Sequence, residues 1–189
     1  MPLNLLAAEV GPRQQLEISI NRLLDVLRDE SLKGEEKKEL RREHIAEVVF
    51  LQFDMRQMAK LSLGRDWNDL SEAECRRFTE LFKALLKESY VATIDGYANE
   101  KISYVKEIIN GSKAEVQTKV ISPSREIPLS YKLLEDAGRW LVYDVIIENV
   151  SLVRNYRSQF GPIMRKDGFT GLLAQMEKKI AQAGEKKDG

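Results

Sequence analysis

RWLVYDVIIENVSLVRNYRSQFGPIMRKDGFTGLLAQMEKK, Arg139 to Lys179, holds a strand, a helix and a closing helix in unbroken succession, and the fold is read outward from it. Trp140, Val142, Asp144 and Ile146 alternate with Leu141, Tyr143, Val145 and Ile147, the period of two that sends successive side chains to opposite faces of a sheet. Only Asp144 interrupts an otherwise two-sided apolar strand. Such a strand is covered on both faces, so something other than water is expected against each. After Ile147 the period changes to about 3.6, with Val150, Val153, Tyr156 and Phe160 at helical spacings. Gly161-Pro162 is expected to stop this helix, because Pro lacks the amide hydrogen a helix interior needs. A second helix is expected from about Asp167, burying Leu172, Leu173, Met176 and Ile180.

Upstream, alternation governs Lys101 to Ile147. Ile102, Tyr104, Lys106 and Ile108 run against Ser103, Val105, Glu107 and Ile109, and Asn110-Gly111 is a strong hairpin signal because both residues tolerate positive φ. Ala114 to Ile121 returns, Ser122-Pro123-Ser124-Arg125 turns, and Ile127, Leu129, Tyr131 and Leu133 make a third strand. Asp136-Ala137-Gly138 then leads into the strand at Arg139, giving a four-stranded antiparallel meander.

The amino-terminal half is helical. A helix is expected after Pro12 to about Arg28, and a second through the charged stretch Lys33 to Glu43 toward Val49, a solvated face rather than a binding tail. Phe50 to Phe53 reads as a hinge, Asp54 as the cap of Met55 to Leu63, and Gly64 as its terminator. Ser71-Glu72-Ala73-Glu74 is a capping box opening a long helix with Phe78, Leu81, Phe82, Leu85, Leu86, Tyr90 and Ile94 on one stripe. Helices, four strands, then helices specify an α+β domain with helices packed on the sheet.

Composition excludes several classes of function. The 189 residues suit one domain, and thirty basic residues balance thirty acidic ones, so nothing points to nucleic acid. A single cysteine, Cys75, excludes an intramolecular disulfide and a Cys-rich zinc site. A single histidine, His44, excludes Ser-His, Cys-His and two-histidine metal chemistry; beside Glu43 and Glu47 it reads as a surface residue of a charged helix. No apolar run reaches the eighteen residues of a membrane span. Met1 to Glu9 lacks a basic leading region, yet its Leu-Leu-Ala-Ala resembles the tail of a signal peptide, so residues 1–11 are read as a leader remnant or an added tail, and 184–189 as a flexible tail. Gly64-Arg65-Asp66 and Gly161-Pro162 match no phosphate-loop spacing.

Chemistry then rests on Asp144. Buried among apolar neighbours it could act as a general base with Tyr131 or Tyr104 beside it, in a pocketed enzyme of the ketosteroid-isomerase type. The blander reading bonds it to Arg139, Arg157 or a backbone amide. Apolar surface is more abundant: Phe53, Met55, Met58, Phe78, Phe82, Leu85, Tyr90, Ile94 and Tyr97 from helices face Val105, Val116, Val120, Leu129, Tyr131, Val142 and Ile146 from strands, with Val150, Val153 and Tyr156 following. Taken alone these residues read as a packed core, as in a non-catalytic helical adaptor.

A resemblance changes that weighting. Val150-Ser151-Leu152, Asn155-Tyr156-Arg157-Ser158-Gln159-Phe160 and Gly168-Phe169-Thr170-Gly171-Leu172-Leu173 look like the carboxy-terminal signature of the MlaC family. Phe53-Asp54-Met55, Met58-Ala59, Leu63-Gly64, Trp67, Phe78, Phe82, Leu86 and Tyr90 are similar to its earlier pattern, so the resemblance extends from about Leu16 to Lys179. It implies a periplasmic phospholipid carrier of the lipid-asymmetry or toluene-tolerance system, exported by a signal peptide largely absent here. It further implies a deep apolar cavity for acyl chains lined by the residues above, with phospholipid as cargo rather than a cofactor, and no catalysis. The implied partners are an inner-membrane ABC transporter complex with a lipid-binding ring and an outer-membrane lipoprotein–porin complex. A monomer is expected, with Arg157 and Lys166 as headgroup or partner contacts. The charged stretch at Lys33 to Glu43 and the tail after Gly184 depart from the family pattern.

Overall fold

Alternation from Lys101 onward builds an antiparallel sheet in the order β1 (Lys101–Asn110), β2 (Lys113–Ile121), β3 (Glu126–Asp136), β4 (Arg139–Ile147) and β5 (Val150–Ser151) in a computed structural model that describes residues 10–97 and 100–185. The sheet therefore has five strands where four were expected. Glu148 and Asn149 both adopt positive φ, 48° and 69°, and turn the chain back so that Val150 and Ser151 pair with Ile147 and Ile146 before the helix starts. At the first hairpin Asn110 pairs with Lys113, so Gly111 (φ 57°) and Ser112 occupy the turn, one position later than expected.

Two bulges decide which side chains face inward. Tyr104 pairs with Thr118 and Lys106 with Gln117, leaving Val105 as the extra residue of β1; Lys132 pairs with Asp144 and Leu133 with Val142, leaving Tyr143 as the extra residue of β4. Opposed cross-strand residues share a face, and a one-residue insertion reverses the face of all that follows. One face thus gathers Tyr104, Val116, Thr118, Leu129, Tyr131, Leu133, Val142, Val145 and Ile147. The other carries Lys106, Gln117, Lys119, Ser130 and Lys132. This corrects the alternation expected for the last long strand: Val142 shares its face with Val145 and Ile147, while Asp144 and Ile146 turn to the opposite side.

The helices are α1 (Pro12–Arg28), α2 (Lys38–Leu51), α3 (Met55–Leu63), α4 (Glu72–Asp95) and α5 (Leu152–Glu185). The charged stretch is not helical throughout, as had been expected. The Asp29 carboxylate accepts from the Ser31 amide, Gly34 takes φ 104°, and two short 3-10 turns precede α2. The expected caps form at α3, where Asp54 accepts from the Gln57 amide at 2.9 Å, and at α4, where Ser71 and Glu74 form the reciprocal box. α5 does not stop at Gly161-Pro162 but passes through Pro162 and breaks at Gly168 (φ 66°, ψ −171°). Burial of Tyr156 and Phe160 before the proline, with Ile163 and Met164 after it against the same cluster, outweighs one lost backbone bond. α5 includes residues 184–185, expected in the tail; the rest of that tail and residues 1–9 of the expected leader remnant lie outside the described residues.

α1 and the α2–α3 junction seal the start of β4. The Asp54 amide donates to the Val142 carbonyl and the Val142 amide to the Gln52 carbonyl, both at 2.9 Å, so residues around Phe53 lie along β4 like a short added strand. The Gln52 side-chain amide donates to the Trp140 carbonyl, and the Trp140 amide donates to Gln15 of α1. Every backbone group thus engaged is one that an open sheet edge would have left to water.

Candidate functional site

The expected interior residues divide between two apolar bodies. α3, α4 and α5 pack into a filled helical core in which Phe78 and Phe82 stack at 5.9 Å and Tyr156 meets Phe82 edge-on at 5.1 Å. Met58, Leu85 and Val153 are buried in the same core, with Met55 and Tyr90 half-buried on its margin. Against the apolar sheet face, Leu16 of α1, only 2% exposed, closes over Ala114, Val116, Leu133 and Val142. Phe53 belongs to both bodies, because its backbone is tied to β4 while its neighbours lead into α3.

Val120, Leu129, Tyr131 and Ile147 are half-buried, as are Ile94, which packs with α1 and α2, and Tyr97, whose amide donates to the Ile94 carbonyl. Val105 and Val150 stand apart from all of these, 55% and 57% exposed, the first on its bulge and the second beside the β4–β5 turn. Ile146 lies on the opposite sheet face, where it flanks a shallow hollow of about 380 Å³ with Asn149, Ser151, Arg154, Asn155 and Ser158.

Polar groups on the apolar face include phenols, the Thr118 hydroxyl and, toward the first hairpin, Glu107, which lies opposite Val116 and accepts from the Arg13 amide. Burial pushes the pKa of Tyr131 up to about 12, against the opposing effect of the Thr118 hydroxyl, although the residue keeps accessible surface. Burial also raises Tyr90, with Tyr156 adding to the shift, and Tyr104, to which Glu17 and Tyr131 add and which Arg13 opposes. The Tyr104 hydroxyl is inaccessible to solvent and has no hydrogen-bond partner among the described residues. Tyr104 went unmarked as a member of the sheet's inner face in the sequence, since its sharing that face with Thr118 and Tyr131 depends on the β1 bulge.

Asp144 has a different task. It is 3% exposed, and its carboxylate accepts from Ser151 Oγ at 2.7 Å and from the Val153 amide at 3.2 Å, while Ser151 Oγ accepts from the Arg154 amide. Carboxylate and hydroxyl together cap the first turn of α5. Arg139 and Arg157, the other partners considered for it, lie elsewhere: Arg139 donates to the Leu51 carbonyl. Arg157 is exposed and laid over Gly64, where a Cβ would sit 2.5 Å from its Nε, and Lys166 is exposed on α5. Cys75 is buried in α4 with its thiol pKa raised by that burial, and His44 is half-buried on α2. Among the described residues no three His, Cys, Asp or Glu side chains group to hold a metal, and no helix is long and apolar enough to cross a membrane.

Comparison with known proteins places these features in context. The family model described as MlaC protein matches residues 17–178. The intermembrane phospholipid transport system binding protein MlaC of Haemophilus influenzae is 22% identical over 126 residues, 64% of this chain and 59% of that protein. The toluene tolerance protein ttg2D of Pseudomonas putida is 29% identical over 97 residues, 50% of this chain and 45% of that protein. The chain thus aligns with roughly half of the length of these relatives. A phospholipid-binding protein from Ralstonia solanacearum, solved in complex with a phospholipid, has the same fold: TM-score 0.83 at 20% identity, covering 92% of this chain and 99% of that one.

Proposed function

Because the chain belongs to the MlaC family, we propose that it is a phospholipid carrier, seating acyl chains between the apolar sheet face and the helices. The half-buried Phe53, Met55, Tyr90, Ile94 and Tyr97 form the helical wall, Val120, Leu129 and Tyr131 the sheet wall, and Val116 and Val142 the floor. One observation supports this reading: Val120, Leu129, Tyr131 and Ile147 stay half-buried on the apolar sheet face, while Val116, Leu133 and Val142 beside them are sealed under Leu16. That leaves apolar surface along the sheet for acyl chains to cover, which a fully packed core would not. Apolar shelter is the physical requirement of the task, since each methylene withdrawn from water contributes roughly 0.8 kcal/mol.

The headgroup remains at the surface, with Arg157 and Lys166 as its phosphate contacts or as contacts to partners. The carrier moves lipid through the periplasm as a monomer, between an inner-membrane ABC transporter complex bearing a lipid-binding ring and an outer-membrane lipoprotein–porin complex, and so maintains outer-membrane lipid asymmetry. The names of the Haemophilus and Pseudomonas relatives, one an intermembrane phospholipid transport protein and the other a toluene tolerance protein, support this role. An enzymatic reading on Asp144 has no geometric support. The carboxylate is bonded at both oxygens and lies on the sheet face opposite Tyr104 and Tyr131, so neither phenol assists it.

Native mass spectrometry with organic extraction of the purified protein tests the proposal. Phospholipid bound in equimolar amount is the expected result. Protein that purifies empty, and stays empty when offered phospholipid vesicles, would overturn the carrier reading in favour of a filled adaptor.

A further inference from the structure

Three phenols are desolvated along the interior, and two have a hydroxyl neighbour that shifts their ionisation: Thr118 beside Tyr131, and Tyr156 beside Tyr90. Tyr104 differs. Its ring packs against the sheet-face cluster beside α1, the Arg13 guanidinium covers the ring 5.3 Å from its centroid, and its hydroxyl is sealed without a partner among the described residues. An unpaired buried hydroxyl destabilises the state that contains it and is rare in folded proteins. The closed form with Tyr104 in this position is therefore the less favourable of two states if the other supplies an acceptor.

The chemistry of that acceptor is constrained. Burial, Glu17 and Tyr131 all favour the neutral phenol, so the hydroxyl is present as a donor. The negative field of Glu17 that disfavours a phenolate also disfavours a phosphate oxygen at the same place. Arg13, engaged on the face of the ring, offsets this only in part, its effect on the phenol being smaller than that of Glu17. A neutral carbonyl oxygen meets both conditions. On the carrier reading, which this inference takes as its premise, the cargo brings such oxygens at the ester linkages of its acyl chains. We propose that the Tyr104 hydroxyl donates to an acyl-ester carbonyl of the bound glycerolipid, reached when cargo spreads α1 from β1, and so selects ester-linked over ether-linked lipids.

The test compares dipalmitoyl phosphatidylglycerol with its dihexadecyl diether, loaded from vesicles onto delipidated protein, for the wild type, Tyr104→Phe and Tyr143→Phe. The wild type should retain the diester roughly three- to tenfold more tightly, the worth of one neutral hydrogen bond. Tyr104→Phe should hold both lipids alike, at the wild-type level for the diether, with an empty-state melting temperature no lower than that of the wild type. Tyr143→Phe, which removes a phenol on the β4 bulge outside the proposed walls, should keep the preference. A wild type that binds both lipids equally, a Tyr104→Phe variant that still discriminates, or one whose empty form melts lower would overturn the assignment and leave the carrier reading standing. Failure of the wild type to take up either lipid would overturn both.

Discussion

Replacing Asp144 by Ala removes the carboxylate that ties the sheet to α5. Its two bonds, 2.7 Å to Ser151 and 3.2 Å to the Val153 amide, lie where all three residues are buried. Hydrogen bonds to a charged acceptor are worth about 1.5–3 kcal/mol each, and the Val153 amide is left without an acceptor. The Ser151 hydroxyl can turn elsewhere, and the carboxylate's own desolvation is relieved, so the net loss should be about 3 kcal/mol. Asp144→Asn keeps one acceptor and should lose about 1 kcal/mol. Urea unfolding followed by circular dichroism reads both, and the slope with denaturant should not change. Ser151→Ala removes the other half of the cap, so the double variant should be much less destabilised than the sum of the singles, because the two side chains act as one unit. Retention of wild-type stability in Asp144→Ala, or strict additivity with Ser151→Ala, would refute the capping argument and return Asp144 to the list of candidate chemical groups.

Leu129→Trp tests the hollow: in a filled core the larger side chain costs about 1–3 kcal/mol, whereas at an open wall it should leave the urea midpoint nearly unchanged and reduce co-purified phospholipid to well below one per chain. Strong destabilisation with undiminished lipid would exclude Leu129 from the wall. Gly64→Ala places a Cβ at φ 65° and 2.5 Å from Arg157 Nε, and should lose about 1–2 kcal/mol; adding Arg157→Ala relieves the contact but not the backbone strain, so recovery in the double variant should be partial. Tyr131, whose pKa is raised to about 12, is neutral in both folded and unfolded chains at low pH, so its contribution is constant below about pH 10. Between about pH 10 and 12 only the unfolded chain ionises, and stability should fall by on the order of 2 kcal/mol. Urea midpoints across that range should fall less for Tyr131→Phe, and equal slopes for the two proteins would contradict the shift.

Local chemistry was legible in the sequence. Asp54 with Gly64 bounded one helix and Ser71 with Glu74 opened α4, because a cap is satisfied within four residues of itself. Alternation of period two and the turn residues identified the meander and the α+β class for the same reason. What remained hidden depends on distant partners. The bulges at Val105 and Tyr143 leave no mark in an alternating pattern, yet each reverses the face of every residue beyond it, and this took Val105 and Ile146 away from the interior wall expected for them. Pro162 read as a helix stop because backbone geometry is judged locally, while burial of Phe160, Ile163 and Met164 against α3 and α4 kept the helix whole as far as Gly168. Asp144 could be marked as a buried acid but not as a cap, since the amide and hydroxyl it serves belong to the next element and come to it only across the two-residue turn into β5. Sequence thus determined the elements and their order, through interactions that close within a turn; only tertiary structure decided which faces meet, because a one-residue insertion or one buried contact outweighs any periodic signal.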